Sequence, residues 1–297
     1  MMLNTVSQFS DAIKASGLEP PTIIKPGKIH RFPGIGKQQS NRSGWCMLFD
    51  DGMGGCYGDW ASDLSENWQA KRNKSFSQAE RSAFTHRANE SKTQAEVLRN
   101  AKHVEAANRA SAIWNGASPA PGDHPYLMRK GIKMHNARLH KNSLVLPVVD
   151  FSGILSSLQF IGQDGNKLLF PGGRKQGCFI PIKNDASDSA RVIICEGWAT
   201  GCTLAEDDPA SRVLAAIDAG NLKQVAIAAR SKWPSVELVI AGDDDRLTAG
   251  NPGVTKARAA AITTGALLAI PHWPVGSPET LTDFNDLALW IKGGLRG

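Results

Sequence analysis

The sequence contains no apolar run approaching the ~18 to 20 residues that cross a bilayer, and Met1 to Ser10 has neither the basic nor the apolar region of a signal peptide. Both absences argue against a membrane or secreted protein, and a cytoplasmic one is expected. Cysteine is scarce. Cys46, Cys56, Cys178, Cys195 and Cys202 are odd in number and form no CxxC pair, which speaks against a disulfide framework and against a zinc ribbon. The separation of Cys46 from Cys56, with His30 upstream, is not a metal-ligand spacing either. Tyrosine is confined to Tyr57 and Tyr126, and no GxxxxGK[ST] run provides a P-loop.

What is present is an ordinary globular composition over 297 residues, long enough for two or three compact units. The net charge of +6 is unevenly distributed. Residues 191–297 hold 10 Lys+Arg against 12 Asp+Glu, which leaves 24 against 16 before residue 191. A basic body joined to an acidic last third suits a polyanion gripped by Lys and Arg beside carboxylates that hold metal.

Residues 1–70 read as a small β-rich domain, with strands expected near Lys28 to Phe32, Trp45 to Phe49 and Gly55 to Trp60 between Gly-rich turns. Its aromatics, Phe32, Trp45, Phe49, Tyr57 and Trp60, alternate with Arg31, Lys37 and Arg42. Either they stack bases of a single strand or they are the core of the sheet. Residues 71–118 form a basic helical connection, opened by a Ser77/Glu80 capping box and carrying Lys71, Arg72, Lys74, Arg81, Arg87, Lys92, Arg99, Lys102 and Arg109. The run NGASPAPG, Asn115 to Gly122, breaks the pattern because it suits neither helix nor sheet.

A basic subdomain at 119–190 follows, with a short helix capped by Asp123 and strands near Ser143 to Val149, Ile154 to Gly162, Lys167 to Phe170 and Gly177 to Ile182. From Arg191 to the end, strands and helices alternate, which predicts an α/β fold with a Rossmann-like parallel sheet and flanking helices. Strands are expected at Arg191 to Cys195, Arg212 to Ala216, Glu237 to Ala241 and Ala266 to Ile270. The last helix is expected from Phe284 to Ile291, capped by Thr282 or Asp283.

Acidic residues fall just past the strands. Glu196-Gly197 follows RVIIC, and Asp243-Asp244-Asp245 follows ELVIA. Residues past the carboxyl ends of parallel strands line the ligand crevice, so Glu196, Asp243 and Asp245 are expected to converge there, with Asp244 facing elsewhere. Carboxylates brought together repel unless a divalent cation joins them, and hard oxygen ligands favour Mg²⁺ or Mn²⁺. Asp283 or Asp286 in TDFND either adds a ligand or caps the last helix. The helix opened by Gly253, with Lys256 and Arg258 in its first turns, is a candidate phosphate site.

The strand followed by Glu196-Gly197 and the DxD of Asp243 and Asp245 resemble the TOPRIM domain of primases and topoisomerases. The runs EGWATGCTLAE, VLAAIDAGNL, IAGDDDRLTAGNPGVTKAR and TDFNDLA are similar to the TOPRIM primases of plasmids and phages. LVLPVVDFSGILSSLQFIGQDGNKLLFPGGRKQG resembles the basic subdomain that precedes TOPRIM in bacterial replicative primases, and on that match Lys167, then Arg174 and Lys175, contact nucleotide or template. FPGIGKQQSNRSGW and YGDW resemble the leader of the plasmid and phage proteins. Where such motifs often carry an acid four residues after the Glu, this chain has Thr200.

The resemblance implies template-directed synthesis of RNA primers on single-stranded DNA from nucleoside triphosphates, with Glu196, Asp243 and Asp245 catalytic. It also implies template contacts by the helix and N-terminal unit, and with no P-loop in the sequence any replicative helicase is expected to be a separate protein. TOPRIM also serves metal-dependent nucleases, and a non-catalytic single-stranded DNA-binding protein is a third reading. Strand passage needs a nucleophilic tyrosine, for which neither Tyr57 nor Tyr126 has a helix-turn-helix setting.

Overall fold

The computed structural model describes residues 2–62, 64–71, 77–182 and 189–294; Arg72 and Lys74 of the basic run lie outside them. The chain divides into two compact units, Met1–Ala101 and Lys102–Gly297.

In the first unit, helix α1 (Met2–Ala15) was not anticipated from composition, although Val6, Phe9 and Ile13 repeat at helical spacing. Strands β1 (Ile29–Phe32), β2 (Gly44–Leu48), β3 (Gly54–Asp59) and β4 (Leu64–Gln69) form an antiparallel meander in sequence order. The first three match the expected strands; β4, SENWQ preceded by Leu64, is polar enough to read as a loop. Phe9, Ile13, Leu48 and Tyr57 pack in one core, and Trp45, Phe49 and Cys56 meet Ala88 and Ala95 of helix α2 (Gln78–Gly116) in another. The aromatics are therefore core: Phe32, Trp45, Phe49 and Tyr57 are all buried.

Helix α2 begins at the predicted capping box, where the Ser77 amide donates to Glu80 Oε2 at 2.7 Å and the Glu80 amide to Ser77 Oγ at 3.2 Å. Its 39 residues rise about 58 Å at 1.5 Å each. Its buried positions are small residues, Ala88 and Ala95 in the first unit and Ala106 and Ala110 in the second, with Phe84, Ile113 and Trp114 packed at the edges of the same clusters.

In the second unit α2 is followed by strand β5 (Ser118–Pro119), so the NGASPAPG run contributes a short strand that pairs with β6 (Arg138–His140). Helix α3 (Pro125–Lys130) is capped by His124, whose Nδ1 accepts from the Tyr126 amide at 3.3 Å; Asp123, the expected cap, is one residue too early. Its C-cap Gly131 has φ 60°, a conformation glycine adopts without penalty. Strands β7 (Ser143–Val149), β8 (Leu155–Ile161) and β9 (Lys167–Leu169) complete an antiparallel sheet in the order β5-β6-β7-β8-β9.

Strand β10 (Ile180–Pro181) crosses to a second sheet of order β10-β12-β11-β13-β14. There β11 (Arg191–Cys195) lies between β12 (Arg212–Ala215) and β13 (Glu237–Ala241), all parallel, with β14 (Leu267–Ala269) at the edge. Only β10 is antiparallel. Helices α4 (Trp198–Asp207), α5 (Leu222–Lys232), α6 (Pro252–Thr264) and α7 (Phe284–Gly294) flank the sheet.

Alternation along β11 divides the core. Val192 and Ile194 face Leu222, Val225 and Ala260, while Ile193 and Cys195 face Trp198 and Cys202. The second of these clusters also contains Leu144, Leu146, Val148 and Ile161 of β7 and β8. The segments 119–190 and 191–297 thus share one core, because β10 and the β7/β8 face close over the parallel sheet. No helix among the described residues is long and apolar enough to cross a membrane.

Candidate metal and nucleotide site

Strands β11 and β13 are in register, with Cys195 opposite Ala241, so the residues that follow each strand emerge side by side. Glu196 leaves the first and Asp243 the second. Strand β12 ends beside them, and the turn after it carries Asp218, a third acid at an equivalent position that the sequence reading passed over. Its location after a β-strand was the available signal. Ile217, directly before it, has φ 78°, unusual for a β-branched residue, and the chain turns there to present Asp218 and Ala219. The Ala219 amide donates to the Glu196 carboxylate.

The electrostatics are those of crowded acids. Burial pushes the Asp243 carboxyl up to about 8, aided by Glu196, Asp283 and Asp245 and opposed by Lys167. Burial likewise raises Glu196, with Asp245 and Asp218 adding to it and the Ala219 amide and Lys167 countering it. Asp243 Oδ1 is buried without a hydrogen-bond partner among the described residues. An orphaned carboxylate oxygen amid like charges fits a hard divalent cation.

The acids do not form a closed nest, contrary to the expected convergence. No three His, Cys, Asp or Glu side chains among the described residues stand close enough to enclose a metal ion. Two of the acids are turned onto backbone amides. Asp245 Oδ2 accepts from the Gly253 amide at 2.9 Å, and Asp283 Oδ1 from the Asp286 amide at 2.8 Å. Asp283 is therefore the cap of α7, while its charge still reaches Asp243. Asp286 is occupied elsewhere, with Oδ1 at 3.3 Å from Lys130 Nζ and Oδ2 accepting from the Thr282 amide.

As expected, Asp244 looks away. It accepts from Asn251 Nδ2 at 2.7 Å and from Trp273 Nε1 at 2.8 Å. Asn251 in turn takes the Asp245 amide on its side-chain oxygen and caps α6. The opening amide of α6 is consequently held by Asp245, and the phosphate site proposed there from sequence is taken by a carboxylate. Lys256 and Arg258 are exposed on that helix. A Cβ on Gly253 would lie 2.3 Å from the Asp243 carbonyl oxygen, so only glycine allows α6 to approach this closely.

Of the basic candidates, Lys167 on β9 reaches the crevice. Its Nζ would stand 3.8 Å from a Cβ built on Gly197, and its charge acts on both Glu196 and Asp243. Lys175 pairs with Asp218 at 2.6 Å, next to Glu196, whereas Arg174 pairs with Asp150 at 2.9 Å. Asn221, also unanticipated, is a buried clamp beneath this loop. Its Nδ2 donates to the carbonyls of Lys175, Cys178 and Ala216, and its Oδ1 accepts from the Gly177 amide. Thr200, at the departure from the TOPRIM pattern, is buried with Oγ1 facing Gly197.

Comparison with known proteins shows what the chain is similar to. Residues 191–290 match the Toprim domain family. Two proteins of Escherichia coli, each named DNA primase TraC, are 33% identical over 292 residues and 31% identical over 280, covering 91% and 89% of this chain. The chain spans 26% and 19% of their respective lengths. Among solved structures, the primase fragment of the bacteriophage T7 primase-helicase protein aligns over 90% of this chain and 96% of its own, at 13% identity and a TM-score of 0.42. The DnaG primase catalytic domain bound to single-stranded DNA aligns over 67% and 78%, at 12% identity and the same TM-score. Residues 191–290 are thus similar to the Toprim domain family, within a chain that is similar over most of its length to part of DNA primase TraC.

Proposed function

We propose that this chain is a DNA primase, joining nucleoside triphosphates into short primers on a single-stranded DNA template. The observation that carries the reading is the orphaned, buried Asp243 Oδ1 beside Glu196 at the ends of adjacent parallel strands. The sequence similarity to DNA primase TraC supports it.

Asp243 and Asp245, with Glu196 alongside, are the residues that would hold Mg²⁺ or Mn²⁺, which when bound neutralises triphosphate charge. Glu196 takes the proton of the attacking 3′-hydroxyl, its carboxylate oriented by the Ala219 amide and its pKa raised by burial. The 3′-oxygen bonds to the α-phosphorus as the bond to pyrophosphate breaks. Lys167 faces the same crevice and binds the phosphates electrostatically, with Lys175 released from Asp218 to assist. Arg174, Lys256 and Arg258 would contact template or phosphate, and a replicative helicase would act as a separate protein.

Incubation with single-stranded template, labelled nucleotides and Mg²⁺ or Mn²⁺ tests the reading. Products should lengthen from mononucleotides. Glu196→Gln and Asp243→Asn should each lower primer yield by at least about 100-fold, a loss within the range for general-base removal, with circular dichroism unchanged. Template shortening in place of extension would instead identify a nuclease.

A further inference from the structure

Asp218 has no part in the catalytic scheme above, yet its charge acts on Glu196. It precedes the 3₁₀ turn Ala219–Asn221, where an aspartate side chain ordinarily bonds the turn's own amides, but its carboxylate makes no such bond. The carboxylate is held by Lys175 instead, with Nζ 2.6 Å from Oδ2.

The backbones on both sides of this pair are fixed. Asn221 holds the carbonyls of Lys175 and Ala216 through one amide group. The Ala216 amide donates to the Cys195 carbonyl at 2.8 Å, which ties the end of β12 to the residue before Glu196. What can move is the Lys175 side chain, a compact ammonium on a flexible four-carbon stem. The pair is half-exposed, with Lys175 at 37% and Asp218 at 44%, and an ion pair so wetted is weak and readily exchanged for another charge.

The other charge is a divalent cation. Strands β12 and β13 flank β11, so Asp218 stands on one side of Glu196 while Asp243 and Asp245 follow the strand on the other. An acid thus enters the crevice from β12 in a chain that has Thr200 where TOPRIM motifs often carry one. A divalent cation carries twice the charge of an ammonium and takes several carboxylate oxygens at once, so it prevails over lysine for an acid in such a group. Its arrival frees Lys175 at the edge of the crevice.

We propose that Lys175 is an internal counter-ion that occupies Asp218 until a divalent cation takes its place, so that metal entry and the release of Lys175 are one step. The inference rests on the reading of the crevice as a metal site. Coupling of this kind is reciprocal: a phosphate that draws Lys175 away tightens the metal by the factor with which the metal favours that phosphate.

The test is Mn²⁺ binding to the full chain without nucleotide or template, read from the electron paramagnetic resonance of the free ion. Asp243→Asn should bind far more weakly, which places the ion in the crevice. Lys175→Met keeps the stem without the charge and should bind Mn²⁺ about two- to fivefold more tightly, the factor for breaking a half-exposed pair. Lys175→Arg should bind no more tightly than the wild type. Asp218→Asn should bind more weakly, and adding Lys175→Met to it should change the affinity by less than about 1.5-fold, because the coupling of two neighbours vanishes once either is removed.

Equal affinity of the wild type and Lys175→Met would overturn the inference. So would an undiminished gain in the Asp218→Asn background, since Lys175 would then act only as a distant repulsive charge. Mn²⁺ binding that is absent, or indifferent to Asp243→Asn, would overturn the metal reading of the crevice and the inference with it.

Discussion

At the residue scale, Asp243 has a thermodynamic signature that does not depend on any assay of synthesis. Its carboxyl is pushed up to about 8 in the folded chain, whereas it ionises near 4 when unfolded. Between those values the folded state binds the extra proton, so stability falls as pH rises from about 4 to 8 and is flat above. Glu196 is raised as well and acts in the same direction. In EDTA the melting temperature of the wild type should therefore decline across that window. Asp243→Asn should decline much less and be the more stable protein at pH 8, by at most on the order of 5 kcal/mol. Mg²⁺ should raise the wild-type melting temperature more at pH 8 than at pH 5. Parallel pH profiles of the two proteins, measured by calorimetry, would show that the acids are not coupled as described.

At the scale of elements, the crevice depends on connections that place basic residues next to acids. Asn221 holds the loop Lys175–Cys178 against the turn after β12 through four hydrogen bonds. Asn221→Ala leaves several backbone groups unsatisfied in a buried setting, and a loss of about 2–4 kcal/mol is expected in urea denaturation. Primer yield should fall as Lys175 and Asp218 lose their relative placement. An unchanged midpoint would mean that the loop is held by other contacts. Such clamps mark the limit of what the sequence discloses. The strands RVIIC and ELVIA, the acids following them and the Ser77/Glu80 box were legible because period and position after a strand are local properties. Lys167 was legible only through family resemblance. Asn221, Asp218 and the capture of the α6 amide by Asp245 were not, since each depends on which loop is folded beneath which strand end. Strand β4 was missed for a different reason, since few apolar residues mark it and tertiary packing decides its state, whereas the apolar stripe Val6, Phe9 and Ile13 of helix α1 was legible and was passed over.

At the scale of the whole molecule, the two units have separate cores joined by one helix. Ala88 and Ala95 of α2 belong to the first unit's core, Ala106 and Ala110 to the second's, and between them Val97, Leu98 and Val104 are exposed. The intervening turns are held by helix propensity and backbone hydrogen bonds, without core packing, so loss of one core need not unfold the other. Phe9 tests this. It is fully buried, with ring contacts to Tyr57 at 6.0 Å and Trp68 at 5.2 Å. Phe9→Ala should destabilise the first unit by about 3–5 kcal/mol. Hydrogen exchange read by mass spectrometry should then accelerate across β1 to β4 while the amides of β11 and β13 keep their protection, and synthesis that needs only the crevice should persist. Equal acceleration in both sheets would mean that the helix transmits unfolding and that the molecule is one cooperative unit.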